Sequence, residues 1–233
     1  RLLLPDVEFR LETLGSFLEQ LTGQGITQVC FAGAIRRAEI DLTLIDAATQ
    51  PLVAHIASAL AQGDDGALKI VIEIFEQWGF TVVGFDQIAP DLLPPAGVLT
   101  ARAPQLHDQK DAARAAAVIA TISPLDLGQA CAVASGHVLA VEAYGGTEWM
   151  LHSLTTRDEA WPKGGILFKA PKNGQDRRVD LPAIGLATCQ QVKQAGLEGI
   201  VIHHGGVVVL NLALVIAEAN RLGLFIWVRE DQL

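Results

Sequence analysis

The chain has 233 residues, of which half are hydrophobic, and a formal net charge of −9. This length allows one large domain or two modest ones, each able to bury a core. The acidic balance disfavours nucleic acid as a partner, because phosphate backbones demand an excess of Lys and Arg.

The first half of the sequence alternates between helical and strand patterns. Apolar positions between residues 9 and 22 recur at helical spacing, and the short apolar run 28–32 leads into Gly33, which is typical of a buried parallel strand that feeds a loop. Further helices are predicted at 51–61 and 67–78, and a second buried strand at 80–84. This alternation predicts a layered α/β domain with a parallel sheet.

A proline-rich stretch, 90–104, separates this pattern from a predicted helix at 108–122. We predict that this helix connects an N-terminal domain, 1–107, to a C-terminal mixed α/β domain, 125–233, with the linker spanning 108–124. The remaining predicted elements are strands at 130–134, 138–143, 165–168, 199–202, 207–211 and 225–228, and helices at 183–195 and 214–222. Gly136-His137 and Gly205-Gly206 each predict a hairpin turn.

Apolar stretches are interrupted by polar residues, as Asn211 interrupts 207–215, so no transmembrane segment is predicted. The three cysteines, Cys30, Cys131 and Cys189, lack Cys-x-x-Cys spacing, which supports neither a disulfide framework nor a zinc ribbon. We predict that all three are buried small hydrophobes in a protein of the reducing cytoplasm. Charged residues make up only 18% of the chain, which favours extensive burial, an oligomer interface or a lipid-facing groove.

Residues 169–182 place four cations and two acids between apolar strands. Pro171 and Gly174 prevent a helix there, so the charged groups can converge on one point, as a phosphate ester with a metal ion would require. Asp180 is the leading candidate for ligating that metal or positioning a water molecule. The alternatives are a solvated loop and an ion pair of Asp180 with Arg177 or Arg178.

Other candidates follow strand ends and glycines. Glu142 ends a predicted strand, and Thr147 and Glu148 follow Gly145-Gly146, where an acid could orient a metal-bound water and a hydroxyl could hold a phosphate oxygen. Gly33-Ala34-Ile35 could offer backbone N–H groups to a ribose or phosphate, although no Gly-x-Gly-x-x-Gly or Walker sequence is present. Asp64 and Asp65 precede a helix, and they either cap it or face a ligand.

Several of these segments, in their order along the chain, resemble the LpxI-type UDP-2,3-diacylglucosamine pyrophosphatases, bacterial lipid A pathway enzymes that cut a sugar-nucleotide diphosphate. The resembling segments are 31–35, 63–65, 125–129, 140–148, 169–182 and 184–188. The family begins with a strand and a glycine-rich turn that this sequence lacks, and it has Glu-Gly-Thr-Asp where this chain has Gly145-Gly146-Thr147-Glu148. That departure leaves the role of Glu148 open.

The resemblance implies hydrolysis of UDP-2,3-diacylglucosamine to UMP and 2,3-diacylglucosamine 1-phosphate with Mg²⁺ or another hard divalent cation. It further implies a cytoplasmic enzyme at the inner face of the inner membrane, with peripheral membrane contact, and composition favours a homodimer. The implied catalytic residues are Asp180, Lys169 and Glu142, and Asp180 is also the implied metal ligand. The implied substrate-binding residues are Gly33, Ala34, Ile35, Asp64, Asp65, Gln129, Gly146, Thr147, Lys172, Gln175 and Arg178.

A different class of function stays open, that of a nucleotide-sugar sensor on the same scaffold without turnover. Asp180, Lys169 and Thr147 argue against it, because a carboxylate at the phosphates would repel the ligand of a pure binder unless a metal intervened. A non-enzymatic assembly subunit is less well supported, since the polar loops are too concentrated for an interface.

Overall fold

The computed structural model describes residues 7–33, 40–61 and 64–230. The chain separates into two compact units, Arg1–Gly84 and Phe85–Leu233. Both units combine helices with strands, which confirms the predicted two-domain α/β class.

The N-terminal unit has two short strands that pair in parallel, Gln28 with Thr81 and Val29 with Val82. Its described elements are α1 (Leu14–Gly23), β1 (Gln28–Val29), α2 (Val53–Leu60), α3 (Asp64–Gln77) and β2 (Thr81–Val82). Leu18 is fully buried, and the Phe75 ring lies 5.0 Å from Phe31 and 5.9 Å from Phe80. These contacts form an apolar centre next to the parallel pair, as the alternating pattern predicts.

The C-terminal unit is built on a six-stranded sheet in the order β3-β10-β8-β6-β4-β5. Its strands are β3 (Gly97–Val98), β4 (Ala130–Ala134), β5 (His137–Val141), β6 (Ile166–Lys169), β7 (Ala183–Ile184), β8 (Gly199–His203), β9 (Val208–Val209) and β10 (Phe225–Arg229). Its helices are α4 (Phe85–Ile88), α5 (Leu106–Ile122), α6 (Gly146–Ser153), α7 (Leu186–Gln194) and α8 (Leu212–Leu222). β6, β8 and β10 are parallel, whereas β3, β4 and β5 join as antiparallel neighbours.

Side chains alternate between two cores on opposite faces of this sheet. Ile166 and Phe168 pack with α5, whereas Leu167, between them, packs with α6, α7 and α8. Successive strand residues point to opposite faces, and both faces here are covered by helices. The central strands therefore read as continuous apolar runs in the sequence.

The structure differs from the predictions in several places. The units divide after Gly84, and α5 packs on the C-terminal sheet through Ala112, Ala115 and Ile119 instead of connecting two domains. The helix predicted at 183–195 begins only at Leu186, because Ala183 and Ile184 form β7. Gly205-Gly206 is a turn but no hairpin, since β8 and β9 belong to different sheets.

A further difference concerns the cysteines. Cys131 and Cys189 are buried as predicted, but Cys30 is partly exposed.

The hairpin predicted at Gly136-His137 is present as the β4–β5 pair, with positive φ at Ser135 and Gly136, which is the backbone of a tight primed turn. Within the described part of the chain, no helix is long and apolar enough to cross a membrane.

Candidate active site

Several polar side chains of the C-terminal unit lie at one edge of the large sheet. Lys169 is the last residue of β6, Gln129 directly precedes β4, and Glu142 directly follows β5. The register pairs Ala130 with Lys169 and Cys131 with Val141, which brings these three residues to the same edge. The carboxyl ends of parallel strands are where open α/β sheets bind ligands.

Lys169 occupies a largely buried position at this edge. Its residue is only 9% exposed, and Nζ donates hydrogen bonds to Thr147 Oγ1 at 2.9 Å and to the Ala183 carbonyl at 3.2 Å. Burial lowers the pKa of Lys169, while the negative charges of Glu142 and Asp180 act in the opposite direction. The amine therefore lies close to two carboxylates in a place with little water.

Glu142 is held at both carboxylate oxygens. Oε1 accepts a hydrogen bond from the Thr147 hydroxyl, and Oε2 accepts one from the Gln129 backbone N–H at 2.7 Å. Thr147 lies in the first turn of α6. Its hydroxyl links Lys169 to Glu142, because it accepts a hydrogen bond from the Lys169 amine and donates one to the Glu142 carboxylate. Glu142 is 9% exposed, and its hydrogen bond to the Gln129 backbone orients its carboxylate towards the start of β4.

Asp180 receives two side-chain amides on one oxygen. Gln129 Nε2 donates to Asp180 Oδ2 at 3.0 Å, and Gln175 Nε2 donates to the same atom. Gln175 is itself 9% exposed, and its Oε1 accepts from the Lys172 backbone N–H at 2.8 Å. We call the connected side chains of Lys169, Thr147, Glu142, Gln129, Asp180 and Gln175 the strand-end network.

Two predicted phosphate-binding cations have carboxylate partners of their own. Lys172 Nζ pairs with Asp126, and Arg178 pairs with Asp176, with Nη2 and Oδ2 2.7 Å apart. Arg178 thus forms a described ion pair within its own loop. Lys169 lies close enough to the carboxylates of Glu142 and Asp180 for their charges to act on its pKa.

The remaining predicted residues belong to other places. Gly146 opens α6 beside Thr147. Gly33, with φ of +100°, lies in the N-terminal unit, and Asp64 and Asp65 begin α3 of that unit, as predicted for a helix start. Ala34 and Ile35 lie outside the described residues.

A metal ion would have to rely on few protein ligands at this edge. Over the ranges that the structure describes, three or more His, Cys, Asp or Glu side chains nowhere group as a metal site. Mg²⁺, however, is usually held by one or two carboxylates together with substrate phosphates and waters. Asp180 fits that requirement, since it brings a carboxylate to the strand-end network.

Sequence reasoning missed the contacts that hold these groups in place. The resemblance implies that Gln129 and Gln175 bind substrate, and it gave no indication that their amides contact Asp180. The Ala183 carbonyl and Asp126 were not predicted at all. The charge density of residues 169–182 and the positions of Glu142 and Thr147 after a strand and a glycine pair pointed towards this edge, but they gave no indication of which groups pair.

Both halves of the chain match known protein families. Residues 4–92 match the LpxI N-terminal domain, and residues 95–227 match the LpxI C-terminal domain. A similar protein is the UDP-2,3-diacylglucosamine pyrophosphatase LpxI of Caulobacter vibrioides, which is 36% identical over 227 residues, covering 95% of this chain and 81% of the relative. The strand-end network lies entirely within the region that matches the C-terminal domain.

Proposed function

The chain belongs to the LpxI family, and we propose that it is a hydrolase that cleaves the diphosphate of UDP-2,3-diacylglucosamine to UMP and 2,3-diacylglucosamine 1-phosphate. The name of the Caulobacter relative supports the substrate. The observation that most supports the chemistry is the strand-end network, in which a buried amine and two carboxylates share one hydrogen-bonded set. Such a set has little use in a surface that only pairs charges.

Lys169 is proposed to stabilise the negative charge that grows on the phosphoryl oxygens. Its amine is already oriented by Thr147 and Ala183, so little reorganisation is needed during the reaction. The scarcity of water around it strengthens its interaction with an anion. Glu142 orients the Thr147 hydroxyl and, through it, the amine.

Asp180 is proposed to orient the attacking water and to hold a Mg²⁺ ion beside the diphosphate. When bound, such an ion supplies positive charge against the phosphate oxygens. The carboxylate keeps one orientation because Gln129 and Gln175 both donate to it. The backbone of residues 172–175 forms a turn with positive φ at Gly174, and the Gln175 side chain that follows contacts Asp180.

The biological setting is part of the same proposal. The substrate class assigns the enzyme to lipid A biosynthesis, in the cytoplasm at the inner face of the inner membrane, with peripheral membrane contact. The composition, half hydrophobic, supports a homodimer.

The proposal is tested by measuring UMP release from UDP-2,3-diacylglucosamine with Mg²⁺ and, separately, with EDTA. We expect release that depends on Mg²⁺ and returns when the metal is added back. Tight binding of the substrate by folded protein without UMP release would replace the hydrolase with the sensor. Release that is unchanged by EDTA would keep the hydrolase and remove the metal.

A further inference from the structure

We propose that Gln129 and Gln175 are positioning residues that hold the Asp180 carboxylate in one orientation, and not substrate-binding residues. This inference rests on the proposed hydrolysis. It assigns to both glutamines an action through Asp180. Their contacts, rather than their place in the sequence, support the assignment.

Both amides donate to the same oxygen of Asp180, Oδ2, from different parts of the sequence. Gln129 comes from the start of β4, 51 residues before Asp180, whereas Gln175 comes from the same loop, five residues before it. Two donors on one carboxylate oxygen restrict rotation of the carboxylate plane. The carboxylate is therefore fixed by both the sheet and the loop.

The direction of the Gln175 amide is set by the turn that precedes it. Oε1 accepts the Lys172 backbone N–H at 2.8 Å, so Nε2 must be the end that faces Asp180. The Gln175 backbone N–H in turn donates to the Lys172 carbonyl at 3.2 Å. A reversed amide would place its oxygen against the carboxylate and lose both bonds.

Gln129 joins the two carboxylates of the network. Its backbone N–H bonds Glu142 Oε2 at 2.7 Å and its side chain bonds Asp180 Oδ2 at 3.0 Å, so one residue sets the relative places of both acids. An amide orients a carboxylate without adding a positive charge to it. These two contacts therefore do not offset the negative charge that the proposed work with water and a cation requires.

The test compares Gln129→Met and Gln175→Met with wild type at saturating Mg²⁺. Methionine keeps the length of the side chain and removes the donor. We expect each variant to lower kcat by about 10- to 100-fold, the usual cost of losing a group that orients a functional side chain, with KM changed less than about threefold. A higher KM with unchanged kcat would instead make the glutamines substrate contacts and overturn the inference.

Gln190→Met is the matched control, because Gln190 Nε2 also donates to a carboxylate, Glu218, at 3.1 Å, but on the exposed faces of α7 and α8. It should keep wild-type kinetics, and site variants no slower than this control would overturn the inference. Gln175→Glu, which keeps the shape but faces Asp180 with an acceptor, is expected to lose kcat even where the methionine variant folds poorly.

A second readout does not depend on turnover. In crystals of the Gln129→Met/Gln175→Met double variant, we expect the Asp180 carboxylate to be rotated from its wild-type orientation. An unrotated carboxylate would overturn the inference whatever the kinetics. Wild-type protein that releases no UMP would refute the proposed function, and the crystals would still decide whether the glutamines orient Asp180.

Discussion

Gly128→Ala is expected to disturb the strand-end network without replacing any of its polar side chains. A methyl group on Gly128 would lie 2.3 Å from the Glu142 carbonyl oxygen, 2.7 Å from its carbon and 2.9 Å from Glu142 Cβ. Favourable contacts between carbon atoms begin at about 3.5 Å, so the two segments must separate by about 1 Å. That shift would stretch the bonds of Glu142 to Ala130 and to Gln129, now 2.8 Å and 2.7 Å.

The rate should suffer more than the fold. A misplacement of about 1 Å costs roughly 100-fold in rate, and overpacking costs about 1–3 kcal/mol of stability. For a chain of this size, each kcal/mol lowers Tm by about 2–4 °C. UMP release and thermal unfolding of the same preparation measure both effects.

Gly185→Ala is the control for this prediction. Gly185 has extended backbone, with φ of −150°, and a methyl group there meets nothing closer than Leu210 Cβ at 4.0 Å. It should keep most of its activity. A Gly128→Ala enzyme as fast as the Gly185→Ala enzyme would refute the reasoning, because the network would then tolerate displacement of Glu142.

Three further predictions concern charge, packing and thiols. Lys169→Met should lower kcat by about 10²- to 10³-fold. Because burial holds the pKa of Lys169 below 10.5, the wild-type protein should gain stability relative to this variant as the pH rises from the folded pKa towards 10.5. Urea unfolding across alkaline pH that showed no such gain would contradict the prediction. Phe168→Ala should lower the free energy of unfolding, measured by urea denaturation, by about 3–5 kcal/mol, because Phe168 is only 1% exposed. A loss below about 1 kcal/mol would contradict its place in the core. Burial raises the pKa of Cys131 to about 12 and that of Cys189 to about 11. A thiol reagent at pH 8 should therefore label the partly exposed Cys30 first and the other two cysteines only after denaturation. Fast labelling of Cys131 in native protein, measured by peptide mass spectrometry, would contradict this prediction.

The sequence predicts the elements of this fold better than their partners. The apolar run at 130–134 and the turn at Gly136 indicate β4 and its hairpin, because strand period and turn chemistry are local. The helix at 108–122 was also predicted, but its packing on Cys131 and Phe168 depends on contacts distant in the chain, so its assignment as a connector failed. Small residues such as Ala112 and Ala115 allow close packing on a sheet, but they do not indicate which sheet the helix packs on.

The same limit applies to the site. Asp180 and Lys169 stand out because a charged loop between apolar strands is unusual. The Gln129–Asp180 bond, by contrast, joins residues 51 positions apart, and a glutamine carries no local signal of its partner. Whether an amide binds substrate or orients an acid is decided only by where the folded chain places it.

The measurement closest to the central claim is UMP release by Asp180→Asn beside Asp158→Asn. Asparagine keeps the shape of aspartate and removes its charge. Asp158 is an exposed aspartate whose side chain accepts a local turn bond from the Ala160 backbone N–H. We predict that Asp180→Asn loses at least about 100-fold in kcat while still binding the substrate, and that Asp158→Asn keeps wild-type activity. An Asp180→Asn enzyme that releases UMP at the wild-type rate would contradict the account, because the network would then be arranged around a residue that the reaction does not use.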